Sequence, residues 1–360
     1  MTAVGLSQRF VDYQTPGWSL CHLVLPDLGR YTGFIMEQRR LRSAVTCAGR
    51  CVIQHYRKAV PIDRSELVRR ALGTGIECFN VPMYLSLNGV PIGGKLAWPD
   101  FVHLASRTGF KGVDVALEEC MALGLDRTRH TLEETKLRPA FANLPTEFRD
   151  EATFRSTLPK LEEAAPFMAA IGCPRMMTWI MPSSDTPKDE LRRTYKKRFT
   201  ECANILARSH CRLGLEFLGP LHFRRQFPNV FIWKMPEMLE FAKECGTNVG
   251  LTLDSWHWHH AGATTADILA AGKDRIVVVH FNDAPNIAPE QIRDDQRLLP
   301  GEGVINLSGF LQALEKIGYS DSLSVEVFGR GLKEMPPAES AKLCLDYGRA
   351  AFKKAGISES

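Results

Sequence analysis

From residue 83 onward the chain alternates short apolar, β-branched or aromatic runs with longer amphipathic ones. The short runs are Tyr84–Leu87, Gly112–Leu117, Leu137–Ala142, Met176–Met181, Arg212–Leu218, Val249–Leu253, Ile276–Phe281 and Leu323–Phe328. Helical periodicity is clearest over Pro99–Thr108, Thr153–Ile171, Asp189–Ser209, Pro236–Glu244, Thr265–Ala271, Leu307–Ile317 and Pro337–Lys354, and less regular over Glu119–Glu134. Strands that are apolar along their length, each followed by a helix, imply parallel pairing under a cover of helices. Eight such units between residues 83 and 360 fit a (β/α)8 TIM barrel, an α/β fold that typically needs about 250 residues. An open doubly wound sheet is the alternative, but no G-x-G-x-x-G follows the first strand.

Residues 1–82 do not join this rhythm. They hold apolar pieces at Leu20–Leu25 and Val60–Ile62 and an Arg-rich stretch from Arg39 to Lys58, without a repeated period. They read either as a capping or poorly ordered extension, or as an upstream translated region outside the natural product, with the true start near Met83. The expected division is therefore an N-terminal extension over 1–82 and a barrel over 83–360.

Composition narrows the class. Of 360 residues, 44% are hydrophobic and 24% charged, which excludes a disordered, collagenous or disulfide-scaffold chain. The net charge of +4 is too small to argue for nucleic acid, and it belongs to the first segment: residues 1–82 hold 11 Lys+Arg against 6 Asp+Glu, the remainder 34 against 35. No apolar run approaches the roughly 20 residues of a membrane span, and Arg9 and Asp12 interrupt any signal-like start. The ten cysteines are scattered, with Cys47 and Cys51 the closest pair and no second pair at zinc-site spacing. A cytoplasmic protein with reduced thiols, no membrane partner and no nucleic-acid partner is expected.

In a parallel barrel the functional side chains sit at the C-terminal ends of the strands. The fifth run, LGLEFLGP, presents Glu216; the sixth, VGLTLDSWHWHH, ends in Asp254 and then His257; the seventh, IVVVHFND, presents His280; the eighth, LSVEVF, presents Glu326. Each lies about one βα unit beyond the last, so all four meet at one mouth. Three carboxylates converging there repel one another unless a cation intervenes. Three carboxylates with one imidazole are an oxygen-rich set that suits Mn2+, Mg2+ or Co2+, and also admits Zn2+.

The ordered set E-F-x-G-P, L-D-x-W-H, H-x-N-D, R-x-x-P-G-E-G and V-E-V-F resembles the xylose-isomerase-like barrel superfamily over about residues 83–355. That superfamily groups sugar phosphate isomerases and epimerases, ketose 3-epimerases, hydroxypyruvate isomerase, inosose dehydratase and endonuclease IV. The resemblance implies one divalent metal held by Glu216, Asp254, His280 and Glu326, with His257 and Arg297 contacting a carbohydrate substrate. It also implies a homo-dimer or tetramer. The implied chemistry is proton transfer beside a carbonyl through an enediolate, with Glu216 and Glu326 on opposite faces of the substrate, one removing a proton and the other returning it. A lyase of the inosose dehydratase kind is the alternative, with His257 protonating a leaving hydroxyl.

Other residues are weaker candidates. Asn143 and Trp179, ending or following the third and fourth strands, are placed as pocket residues, as is Asn88 after the first. Asp114 either faces the mouth or forms a salt bridge in the barrel. His257 and His259 share a face if the W-H-W-H-H segment is extended, with His260 on the other. Trp256 and Trp258 wall the pocket or pack. His222 sits in a loop with Arg224 and Arg225, and either reaches an anionic substrate or is solvated. P-G-E-G at Pro300–Gly303 reads as a tight turn rather than a phosphate nest. A nuclease like endonuclease IV lacks support: the second and third strands end without His and no D-x-H follows His280. A non-catalytic sugar-binding barrel is the remaining class.

Overall fold

The computed structural model describes residues 18–23, 32–37 and 83–359. The chain divides into two units, Met1–Phe79 and Asn80–Ser360. In the first, β1 (Trp18–Leu23) and β2 (Thr32–Glu37) pair antiparallel, with Trp18 opposite Glu37. Val60–Ile62, the Arg-rich stretch 39–58, Cys47 and Cys51 lie outside the described residues.

In the second unit the strands are β3 (Tyr84–Leu87), β4 (Gly112–Val113), β5 (Arg138–Pro139), β6 (Ala142–Asn143), β7 (Arg175–Ile180), β8 (Ser183–Ser184), β9 (Arg212–Phe217), β10 (Asn229–Val230), β11 (Val249–Asp254), β12 (Ile276–His280) and β13 (Ser322–Val325). The helices are α1 (Trp98–Thr108), α2 (Leu117–Leu123), α3 (Leu125–Thr135), α4 (Glu151–Ala170), α5 (Lys188–Arg208), α6 (Leu221–Arg224), α7 (Met235–Cys245), α8 (Ser255–His260), α9 (Thr265–Ala271), α10 (Leu307–Lys316) and α11 (Pro337–Ala355). β8 and β10 form a two-residue antiparallel ribbon; the other nine form one parallel sheet in the order β5-β4-β3-β13-β12-β11-β9-β7-β6. The sheet closes because β5 and β6 are the two ends of a single extended run, the first pairing with β4 and the second with β7. Between them Ala140 N donates to Val113 O at 2.8 Å, and Val115 N donates to Phe141 O at 2.9 Å. The result is the (β/α)8 barrel that the alternating pattern predicts.

The pattern works through two faces. Along β9, Leu213, Leu215 and Phe217 are fully buried apolar residues, whereas Gly214 and Glu216 occupy the alternate face. Registers carry that second face around the barrel: Trp179 and Thr252 lie opposite Glu216, His280 opposite Asp254 and Ser324 opposite His280. At the N-terminal end of the strands Asp321 accepts from Tyr84 Oη at 2.9 Å and pairs with Arg175 at 2.6 Å, while Arg138 lies over the Tyr84 ring at 4.4 Å. These polar residues close the barrel floor at the end away from the proposed chemistry.

Local signals set the helices. Asp150 caps α4, accepting from Ala152 N and Thr153 N at 3.1 and 2.8 Å. Thr264 and Asp267 form a capping box on α9. The irregular stretch 119–134 is divided into α2 and α3 at Gly124, whose φ of +85° favours glycine.

Candidate metal and proton-transfer site

Glu216, Asp254 and His280 sit at the C-terminal ends of β9, β11 and β12, and Glu326 is the residue after β13. They form a group in which one ligand atom of each lies within 4.8 Å of the others. His280 is at the centre. Its Nδ1 is 3.1 Å from Glu216 Oε1, 3.3 Å from Glu326 Oε2 and 3.7 Å from Asp254 Oδ2. Asp254 and His280 are fully buried, and Glu216 is 5% exposed. The Phe141 ring covers His280 at 5.2 Å between centroids.

Arg297 is the second cation at this centre. Its Nη1 donates to Asp254 Oδ2 at 2.7 Å and to Glu326 Oε2 at 2.8 Å, and its Nε and Nη2 reach Asp294. The guanidinium lies between the rings of Phe328 at 4.6 Å and Trp256 at 5.8 Å. It is 2% exposed, which rules out a solvated loop position.

The charges separate the acids. Burial drives the Glu216 carboxyl up to about 7, helped by the Asp254 and Glu326 charges and opposed by His280. Burial acts upward on Asp254 too, but Arg297 and then His280 outweigh it and hold that carboxyl well below the usual range. Glu326 is likewise held low, by His280 and Arg297 against burial. The same fields raise His280 well above its ordinary value although burial opposes them, with Glu326 the strongest contributor. Without a metal, an imidazolium and a guanidinium therefore balance the carboxylates.

These residues fit a divalent cation. Three carboxylates against one permanently charged guanidinium leave an excess of negative charge in a dry site. His280 turns Nδ1 toward all three acids, and its Nε2 has no hydrogen-bond partner. Deprotonated at Nδ1, the imidazole becomes the fourth donor of an oxygen-rich set.

The segment after Asp254 corrects the extended reading of W-H-W-H-H. It is helical, because the Asp254 side chain caps α8 by accepting from Trp256 N at 2.6 Å. His257 points inward: Arg297 Nη2 is 3.3 Å from its Nε2. A guanidinium only donates, so Nε2 accepts and the proton sits on Nδ1. That Nδ1–H is buried without a partner. Burial moves the His257 pKa down to about 4, so the ring is neutral at pH 7. Trp256 is fully buried and Trp258 packs on Phe310 at 5.3 Å, so both tryptophans are packing residues.

Asn143 and Trp179 occupy the register positions of the inner face but hydrogen-bond none of the four clustered residues. Trp179 is 41% exposed and carries the Arg149 guanidinium at 4.3 Å. Asp114 makes no salt bridge among the described residues. Ser324 Oγ donates to it at 2.9 Å and accepts from Asn88 Nδ2 at 3.0 Å, and burial pushes the Asp114 carboxyl up to about 8.

Two supporting residues carry roles that motif reading did not assign. Asn282 Nδ2 donates to Asp254 Oδ1 and to the Glu326 carbonyl, both at 3.1 Å, tying two ligand-bearing strand ends together. Asp283 accepts from the backbone N–H groups of Ala284, Gly301, Gly303 and Ile305 at 2.8–3.0 Å. It thereby takes up the Gly301 and Gly303 N–H groups of the P-G-E-G segment, while Glu302 N donates to Leu299 O at 3.0 Å and closes the tight turn. A cavity of about 310 Å³ opens beside Arg297, lined also by Pro285, Ile287, Gln296, Leu298 and Arg330.

The family described as xylose isomerase-like TIM barrel matches residues 102–349. The chain belongs to that family. The four strand-end motifs and the loop motif R-x-x-P-G-E-G point to the same superfamily. Inosose isomerase from Halalkalibacterium halodurans is 26% identical over 226 residues, which cover 62% of this chain and 78% of that protein. A xylose isomerase domain protein from Alicyclobacillus acidocaldarius superposes with a TM-score of 0.71 at 27% identity, over 76% of this chain and 99% of that one. The IolI protein, solved with a bound zinc atom, superposes with a TM-score of 0.66 at 21% identity over the same shares, a likeness of fold. Among the described residues no helix is long and apolar enough to cross a membrane.

Proposed function

We propose that this protein is a divalent-metal-dependent isomerase or epimerase of a sugar or inosose, working by proton transfer next to a carbonyl. The observation that carries this reading is the group of Glu216, Asp254 and His280, all buried, with the half-buried Glu326, on four strand ends with ligand atoms within 4.8 Å. A relative named inosose isomerase, aligned over most of its own length, supports the reaction class.

Glu216, Asp254, His280 and Glu326 would hold the metal. Once bound, the cation would supply charge stabilisation for a substrate oxygen that becomes negative as the adjacent carbon loses its proton. Glu216 and Glu326 take and return that proton. In the metal-free site burial pushes the Glu216 carboxyl up to about 7, and a bound cation would bring it down from there, leaving the carboxylate free to accept the proton at neutral pH. Arg297 is already bonded to Asp254 and Glu326 and fixes both carboxylates in orientation. His257 offers its Nδ1–H to a substrate oxygen. That role favours isomerisation over loss of water: a ring neutral at pH 7 donates a hydrogen bond but is a poor source of a proton for a leaving hydroxyl.

The test is turnover of a panel of inososes and ketoses with added Mn2+, Mg2+, Co2+ or Zn2+, in D2O. Deuterium should enter the carbon beside the carbonyl, and Glu326→Gln should abolish both turnover and exchange. Unchanged turnover in Glu326→Gln removes that residue from the mechanism, and water loss from an inosose without isomerisation selects the lyase.

A further inference from the structure

Arg297 bridges Asp254 and Glu326, and both of its chain neighbours are tied to segments that follow the clustered residues. Leu298 exchanges backbone hydrogen bonds with Asp283, N to O at 2.9 Å in each direction. Gln296 forms an antiparallel bridge with Gly329. Asp283 lies three residues beyond His280, and Gly329 three beyond Glu326. The backbone on one side of Arg297 is therefore fixed relative to His280, and on the other side relative to Glu326.

The tie to Gly329 uses an unusual backbone. Gly329, Arg330 and Gly331 are three successive residues in the left-handed region, at φ of +82°, +56° and +70°. Gly329 has to be glycine, because a Cβ there would overlap Asp295 O. Arg330 takes the same conformation with a side chain attached, which is unfavourable for any residue that has a Cβ and persists only where the surroundings enforce it. Its own guanidinium supplies the hold: Nε donates to Glu302 Oε2 at 3.0 Å and Nη2 to Glu302 Oε1 at 2.5 Å. Glu302 belongs to the P-G-E-G turn, and its Oε2 also accepts from Leu299 N at 3.0 Å. Residues 296–302 are thus stapled to 329–330 at both ends, with Arg297 next to the first staple. Packing alone does not back that stretch, because Gln296, Arg297, Leu298 and Arg330 all line the cavity of about 310 Å³.

We propose that Arg330 and Glu302 form a clasp that positions Arg297 against Asp254 and Glu326, so that both are positioning residues for the proton-transfer site. This rests on the function proposed above for the role of Glu326. Arg297 Nη1 reaches the two carboxylates at once, at 2.7 and 2.8 Å, and a displacement of about 1 Å would break one of these bonds and free that carboxylate to turn. The left-handed Arg330 and the two staples keep the segment from making that shift into the cavity.

The experiment follows the Arg297 Nε–H by proton–nitrogen NMR of the full chain without metal, the signal being assigned by its absence in Arg297→Met. Bonded to Asp294 and withdrawn from solvent, this proton should exchange slowly in the parent protein. Arg330→Gly suits the left-handed backbone but has no guanidinium. There exchange should quicken about tenfold or more while the melting temperature holds within a few degrees. Arg330→Lys keeps a cation opposite Glu302 and should recover part of the protection. Exchange in Arg330→Gly at the parent rate overturns the clasp. Quickened exchange that the backbone amides of β9 and β11 share equally also overturns it, since the barrel is then loosened as a whole. Titration with Mn2+ gives a second readout. Arg330→Gly should bind Mn2+ more tightly than the parent, as Arg297→Met should, and add nothing in an Arg297→Met background. An equal gain in both backgrounds overturns the proposal, because the effect then does not pass through Arg297. A chain that takes up no Mn2+ counts against the metal-dependent function and leaves the exchange measurement to decide the clasp, so the two fail separately.

Discussion

Replacing Arg297 with methionine keeps much of the side-chain volume and removes the charge that faces Asp254 and Glu326. Both carboxylates are within 2.8 Å of its Nη1, and Arg297 is 2% exposed. Breaking a buried ion pair by removing one partner costs about 3–5 kcal/mol, because the remaining charge stays desolvated. At roughly 2 °C per kcal/mol for a domain of this size, the metal-free variant should melt about 6–10 °C below the parent protein. The same substitution removes a positive charge that repels any cation bound by those carboxylates, an interaction of about 4 kcal/mol per unit of cation charge at 4 Å with an effective dielectric of 20, hence up to about 8 kcal/mol for a divalent ion. A divalent metal should therefore stabilise Arg297→Met more than the parent and close at least half of the gap. Scanning calorimetry of both proteins, with and without saturating Mn2+, measures this directly. An equal gap in the two conditions would refute the reasoning, since it would mean that Arg297 supports the fold through packing with Phe328 and Trp256 and not through charge shared with the metal ligands.

Other outcomes follow from the same geometry. Metal and protons compete for His280, raised well above its ordinary value, and for Glu216 near 7, so Mn2+ affinity should weaken as pH falls, first below the raised His280 value and more steeply below about 7; calorimetry in buffers of different ionisation enthalpy should show proton release on binding. Asp283→Ala leaves the backbone N–H groups of Gly301 and Gly303 in the P-G-E-G turn, and that of Ile305 just after it, without an acceptor, at about 1–3 kcal/mol for each that is buried, and should lower the melting temperature several degrees while raising KM through the displaced Arg297 segment. Asp114 is raised to about 8 against an unfolded value near 4, so its contribution to stability is fully present below pH 4 and lost as pH rises through 8. Asp114→Asn removes that loss. Measured by urea denaturation, the variant should gain on the parent with a slope of at most about 1.4 kcal/mol per pH unit between pH 4 and 8.

The barrel was legible because each strand run is apolar and each is followed by an amphipathic helix. The third run shows where that reading blurs: Leu137–Ala142 is a single stretch, but its two ends pair with different neighbours, so only Arg138–Pro139 and Ala142–Asn143 form ladders. The clustering of the four strand-end residues could be anticipated because parallel registers bring strand ends to one level. Long-range orientation could not. The burial of Arg297 depends on a loop path from β12 that no local pattern encodes, whereas the helical turn of W-H-W-H-H had a local sign, the capping carboxylate of Asp254, that competed with its alternating polar and aromatic residues. Asn282 and Asp283 stand beside His280 in the quoted motif, yet their partners are 28 and about 20 residues away in sequence, and only the folded chain shows them.

Metal content tests the central claim most directly. Elemental analysis of the purified full chain, before and after incubation with Mn2+ and gel filtration, should find about one divalent ion per chain, with none retained by a Glu216→Ala/Asp254→Ala variant that still folds. A chain that binds no ion under either condition would contradict the account, leaving the four residues as a buried charge network balanced by Arg297 and His280 alone.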